Sequence, residues 1–291
     1  MGTNTIDGFR LSLQQERTWS QQAEGTRPFW AESEILITGH LDADRLKEVI
    51  RSVVDRHEIL RTVFHQQLGV KVPFQVIGES GAFSWQCTDL RGLEESDQRA
   101  ELKALVRGRE AGFDLGLGPV LHVVFAETAP ETHVMVLSLP ALCADLRTLQ
   151  NLVDEIGRSY ARELDDATEI MQYADIAEWQ RDLLTNDDTQ AGRDFWRDYH
   201  RKLDDSSWKD VLAQFEHVSS NEFAPEKIVR DLDLPRPIDD SCADFLFACW
   251  QLFLSRMTGK STITIARDFE GRNYAELTAA LGLFSRYIPS Q

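Results

Sequence analysis

The chain has 291 residues, with 31 Lys and Arg against 48 Asp and Glu and a formal charge of −17. A surface this acidic repels a polyanion, which argues against nucleic acid as a partner. Hydrophobic residues at 42% and charged residues at 27% belong to a folded globular chain rather than a disordered one, and the length allows about two lobes.

No run of about 18 apolar residues is present, and Met1 to Gln14 lacks both a basic start and an apolar core. The expectation is a chain without a membrane span or secretory signal, and therefore cytoplasmic. Cys87, Cys143, Cys242 and Cys249 show neither a Cys-x-x-Cys pair nor zinc-type spacing, so reduced thiols and no metal site are expected.

Along the chain, Ile6 to Gln22 precedes a polar loop, and Glu34 to His40 reads as a strand through Ile35, Leu36 and Ile37. Asp42 is placed to cap a helix whose Leu46, Val49, Ile50, Val53 and Val54 form one apolar stripe. Ile59 to His65, Pro73 to Ile77 and Phe83 to Thr88 are short strand-like runs, followed by a helix over Glu94 to Arg109. Val120 to Ala126 and His133 to Leu139 flank the turn Thr128-Ala129-Pro130-Glu131 and read as adjacent buried strands. A helix over Arg147 to Arg162 completes an α/β sandwich pattern.

Thr168 to Leu203 reads as polar helix anchored by Trp179, Phe195, Trp196 and Tyr199. A second lobe then opens with a strand at Ile228 to Leu234 that Pro235 and Pro237 stop. Asp239 or Asp240 can cap a helix through Met257 that ends at Gly259, with Thr262 to Ala266 and Phe284 to Ile288 as strands and Tyr274 to Leu281 as a short helix. The predicted organisation is an N-terminal lobe over 1–167, a helical connector over 168–225 and a partial C-terminal lobe over 226–291.

Several separated segments, in order, resemble the condensation domains of nonribosomal peptide synthetases. Leu11-Ser12-Leu13-Gln14-Gln15-Glu16-Arg17-Thr18-Trp19 resembles the family's first motif, and Arg56-His57-Glu58-Ile59-Leu60-Arg61-Thr62-Val63-Phe64 is close to its second. Phe113-Asp114-Leu115 with Gly118-Pro119, and Tyr173-Ala174-Asp175-Ile176-Ala177-Glu178-Trp179-Gln180, are similar to its next segments. Leu254-Ser255-Arg256-Met257-Thr258-Gly259, Gly271-Arg272-Asn273 and Leu281-Gly282-Leu283-Phe284 resemble segments of its second lobe. The resemblance implies a two-lobed, chloramphenicol-acetyltransferase-like α/β sandwich whose second lobe is incomplete here. It also implies carrier-protein partners bearing phosphopantetheine arms, an adjacent adenylation domain or a tailoring enzyme, and no bound cofactor. Carrier proteins are usually acidic, so docking one would need a local basic patch, for which Arg17, Arg51, Arg56 and Arg201-Lys202 are the candidates.

The family's active-site motif is His-His-x-x-x-Asp-Gly, and the resemblance lays it on Pro140-Ala141-Leu142-Cys143-Ala144-Asp145-Leu146. Both histidines are replaced. Ala141 has no group that moves a proton, Pro140 has lost its backbone N–H, and Leu146 lacks glycine's conformational freedom. Asp145 remains; the resemblance makes it structural and pairs it with Arg61. A buried carboxylate needs such a partner.

Of the other groups, Cys143 is the weak candidate for a replacement nucleophile, against the ordinary reading of a buried thiol. His57 reads as hydrogen-bonded within the first lobe, and His133 lies at the wrong end of its strand to reach the loop. His40, His65, His122, His200 and His217 have no catalytic companions at useful spacing, Gly112 to Gly118 lacks a phosphate-loop Lys, and the pairs Asp204-Asp205 and Asp239-Asp240 read as solvated charges. The expectation is a domain with its scaffold intact and its chemistry silent, serving structure or protein interaction. The alternative is amide-forming acyl transfer by substrate positioning alone.

Overall fold

The structure, a computed structural model, describes residues 8–22, 28–67, 69–79, 81–109, 113–163, 170–186, 189–202 and 240–291. The chain divides into two compact units: Met1–Asn186 with Glu270–Arg286, and Asp187–Phe269 with Tyr287–Gln291.

The first unit is built on a four-stranded sheet in the order β2 (Trp30–Thr38), β7 (Thr132–Pro140), β6 (His122–Ala129), β5 (Ser84–Asp89). β7 runs antiparallel to both neighbours, while β5 and β6 are parallel and joined by the crossover helix α3 (Glu95–Gly108). β7 is apolar on both sides because both sides are covered. Val136 joins Val124, Ala126, Leu90 and Leu102 in a cluster that includes α3. Met135, Leu137 and Leu139 face the larger core that includes α2 (Ala43–Arg56) and α4 (Leu146–Ala161). The expected stripe on α2 is buried through Leu46, Ile50, Val53 and Val54, and Asp42 caps the helix by accepting from the Arg45 N–H at 3.0 Å.

A second, antiparallel sheet has the order β1 (Phe9–Arg10), β4 (Phe74–Ile77), β3 (Thr62–His65). The predicted strand over Ile59 to His65 is therefore only half strand. Glu58–Arg61 forms a 3-10 turn, because the Glu58 N–H is held by Gln172 Oε1 at 3.0 Å and the Thr62 hydroxyl donates to the Glu58 carbonyl at 2.7 Å.

The expected boundaries shift at the connector. Helix α5 (Tyr173–Thr185) buries Tyr173, Ala174, Ile176 and Ala177 within the first unit. Residues 270–286, expected in the C-terminal lobe, also pack there, with Leu277, Ala280, Leu281 and Phe284 in the main core. Four aromatics expected as one cluster divide accordingly. Trp179 meets Tyr274, while Phe195, Trp196 and Tyr199 meet each other on α6 (Gln190–Lys202).

The second unit contains α6, α7 (Asp240–Thr258) and the strand pair β8 (Ile265–Phe269) and β9 (Arg286–Ser290). Gly259 ends α7 at φ +69, as the sequence pattern predicts. The Tyr199 hydroxyl donates to the Pro289 carbonyl at 3.1 Å. The predicted strand at Ile228 to Leu234, the pair Asp204-Asp205 and Asp239 lie outside the described residues.

Candidate functional site

The loop 140–146 leaves the central strand at the end of its pairing. Pro140 is the last β7 residue, opposite Trp30, where its missing N–H interrupts no further ladder. The Ala141 N–H donates to the Phe29 carbonyl at 2.7 Å and the Cys143 N–H to the Pro140 carbonyl at 2.8 Å, turning the chain tightly. Asp145 then caps α4, accepting from the Thr148 N–H at 2.8 Å.

Asp145 carries the geometry of this loop. Its side chain is 2% exposed. Oδ2 accepts from Arg272 Nη1 at 3.0 Å, from the Phe284 N–H at 2.8 Å and from the Ser285 N–H at 3.0 Å. Oδ1 accepts from Arg272 Nη2 at 3.0 Å as well as from Thr148. The partner expected from the resemblance, Arg61, is elsewhere: its guanidinium donates to the Gly78 carbonyl and lies 3.7 Å from Glu58. Arg272 replaces it because residues 270–286 pack against the start of α4, while the 3-10 turn directs Arg61 to the end of β4.

Glycine is required on both sides of this clamp. Gly271 has φ +78, and a Cβ there would overlap the Phe284 carbonyl oxygen. Gly282 has φ +146, and a Cβ there would run into the Tyr173 ring. The Thr148 hydroxyl donates to the Gly282 carbonyl at 2.6 Å and accepts from the Gly282 N–H at 3.0 Å and from Arg272 at 2.7 Å.

Beneath the loop, Gln15 accepts from the Ser12 N–H at 2.9 Å and donates to the Leu142 carbonyl and to Gln75, each at 3.0 Å. The Tyr173 hydroxyl donates to the Leu283 carbonyl at 2.6 Å and meets the Ser12 hydroxyl at 2.7 Å. Residues of the first motif, the loop, α5 and 281–284 are thereby joined in one hydrogen-bonded floor.

The position where the resemblance expects an imidazole is apolar. Ala141 is half-buried and Leu146, at the start of α4, is exposed. Cys143 is fully buried in the core, not beside Ala141, and burial pushes its thiol pKa up, which keeps it neutral. His57 Nε2 is 2.7 Å from Glu155 Oε2, and Arg56 is 3.2 Å from the other oxygen. That carboxylate bridges α2 to α4. His133 is buried and stacked on Phe125 at the far end of β7. Of the basic candidates for a docking patch, Arg51 pairs with Glu48, Arg56 with Glu155 and Arg201 with Asp198. Among the described residues no group of three His, Cys, Asp or Glu could hold a metal ion, and no helix is long and apolar enough to cross a membrane.

Reasoning from sequence missed Arg272. Its signal was present, since a buried Asp145 needs a partner and Gly271-Arg272 stands in one of the resembling segments.

Comparison with known proteins gives a family and a fold. The family model described as Condensation domain matches residues 6–290. Tyrocidine synthase 3 of Brevibacillus parabrevis is 26% identical over 257 residues, covering 85% of this chain and 4% of that protein. Chondramide synthase cmdD of Chondromyces crocatus is 27% identical over 263 residues, covering 85% of this chain and 7% of that protein. Among solved structures, the condensation domain from Monacolin K polyketide synthase MokA superposes with a TM-score of 0.72 at 20% identity, covering 98% of this chain and 67% of that one. The starter condensation domain of rhizomide synthetase RzmA gives 0.79 at 16% identity, covering 99% and 68%. The α/β fold is that of these domains, and the chain spans only a small part of the curated relatives.

Proposed function

The chain belongs to the condensation domain family, and from that premise we propose that it serves a nonribosomal peptide synthetase as a condensation-type domain that forms no peptide bond itself. Its role is structural or one of protein interaction, alongside carrier domains with their phosphopantetheine arms and an adenylation domain, in the cytoplasm. The observation that carries this reading is Ala141 in the imidazole position, with no titratable side chain free to replace it in the loop. Cys143 is sealed in the core, and Asp145 spends both oxygens on five donors. A general acid or base must reach the proton it moves, and an acceptor already saturated does not compete for it.

The test is reconstitution with loaded donor and acceptor carrier proteins, with amide product followed by mass spectrometry. Product no faster than the same carriers give without the chain is the expected result. Faster product would overturn the proposal. It would favour acyl transfer by positioning, for which the fully clamped loop is the relevant feature.

A further inference from the structure

We propose that His122 makes the end of the sheet beside the loop sensitive to acid, acting as a latch that holds only while its imidazole is neutral. The ring sits in an aromatic box, 5.5 Å from Trp30 and 5.4 Å from Phe113, both edge-on, with Trp30 and Phe113 4.8 Å apart. It hydrogen-bonds the backbone of Pro119. Pro119 has no N–H, so its carbonyl accepts and the ring donates. Among the described residues His122 Nε2 is buried with no partner, so the donor is Nδ1–H and Nε2 carries the lone pair.

A second proton has no place here. Added at Nε2, it would create a buried N–H without an acceptor, a cost that geometry alone imposes. Trp30 Nε1, also buried without a partner, is a donor and offers none. The charged groups around the box are equally unhelpful. Arg109, after α3, lies with its guanidinium 4.4 Å from the Trp30 ring centroid and repels a charged imidazole. Glu32 on β2 is already engaged by Arg109, and Asp114 accepts from the Gly116 N–H at 2.7 Å. Ser138, opposite His122 on β7, is uncharged, and its hydroxyl donates to Glu32 at 3.5 Å.

The box is tied to the loop through the backbone. Trp30 is the register partner of Pro140, and the Phe29 carbonyl holds the Ala141 N–H. Loosening Trp30 therefore loosens the departure of the loop. Burial lowers the His122 pKa from its ordinary 6.5; the Pro119 carbonyl opposes it, and Arg109 adds a smaller lowering. A folded-state pKa below the unfolded one favours the native state fully above about pH 6.5, and that advantage is lost as the pH falls.

The experiment compares the intact chain with His122→Phe, which keeps a ring in the box and cannot titrate. Between pH 7 and 5.5 the wild-type folding equilibrium constant should fall more than that of the variant, by a factor of at most about 8, the limit that an unfolded pKa of 6.5 sets. The protection factor of the Ala141 amide, taken against its intrinsic exchange rate at each pH, should fall with acid in the wild type only. Should the variant not fold, the ring resonance of His122 in the wild type decides: titration below 6.5 supports the latch, and titration at or above 6.5 overturns it. Equal acid responses in the two folded chains would also overturn it.

Discussion

At the level of single residues, the loop is organised by one carboxylate and one guanidinium facing each other in a fork, both all but excluded from solvent. A buried ion pair is weak evidence for net stability, but removing one member strands the other, at about 3–5 kcal/mol. Arg272→Met should therefore lower the unfolding free energy by about 3–5 kcal/mol in urea titrations, and Arg272→Lys by less, since a lysine keeps the charge and loses the fork. Thiol chemistry gives an independent check. Cys249 is exposed and should react with a thiol reagent in the native state at about pH 8; Cys87, also exposed but with its thiol pKa raised by partial burial and by Glu127, should react more slowly, and Cys143 only after denaturant is added. Ala141, where the resemblance expects an imidazole, was legible in the sequence. The identity of the Asp145 partner was not. Arg61 and Arg272 both stand in resembling segments, and only the path of residues 270–286 decides between them.

Elements with a complete local signal were the most legible. Helix α2 has a cap and an apolar stripe of which four side chains are buried, and it forms where those signals place it. Asp42→Ala should cost about 1 kcal/mol by removing an acceptor for the Arg45 N–H. Ile50→Ala should cost about 2–5 kcal/mol, because Ile50 is fully buried and the cavity cannot fill with water. Both are read from the shift in urea midpoint at constant slope. The strand expected over Ile59 to His65 failed for a reason no local pattern carries. Its first half is turned by Gln172, more than a hundred residues away, and β-branched or apolar composition does not reveal such a partner. Tertiary hydrogen bonding overrode local preference there.

On the scale of the whole chain, the first unit is discontinuous: residues 270–286 return to it after an excursion of more than eighty residues. Apolar packing through Leu277, Ala280, Leu281 and Phe284 supplies the bulk of the attachment, and hydrophobic burial is non-directional. Register must come from the directional contacts, which are the Asp145 fork, the Thr148 hydroxyl on Gly282 and the Tyr173 hydroxyl on the Leu283 carbonyl. The work of Asp145 is thus attachment, and it does not depend on the side chain at position 141. Asp145→Asn separates the two roles. It keeps size and one acceptor oxygen but removes the charge and the second acceptor, so the amides of Phe284 and Ser285 lose their partner or share a weaker one. If about 3 kcal/mol of local stability is lost, exchange at those two amides should quicken roughly a hundredfold, while amides of the central β6 and β7 ladder change little. Arg61→Met should leave Phe284 and Ser285 protected, since that guanidinium lies on Gly78 and Glu58. Uniform acceleration across β6, β7 and residues 282–285 in Asp145→Asn would mean that the clamp stabilises the unit globally and does not set the register of the returning segment.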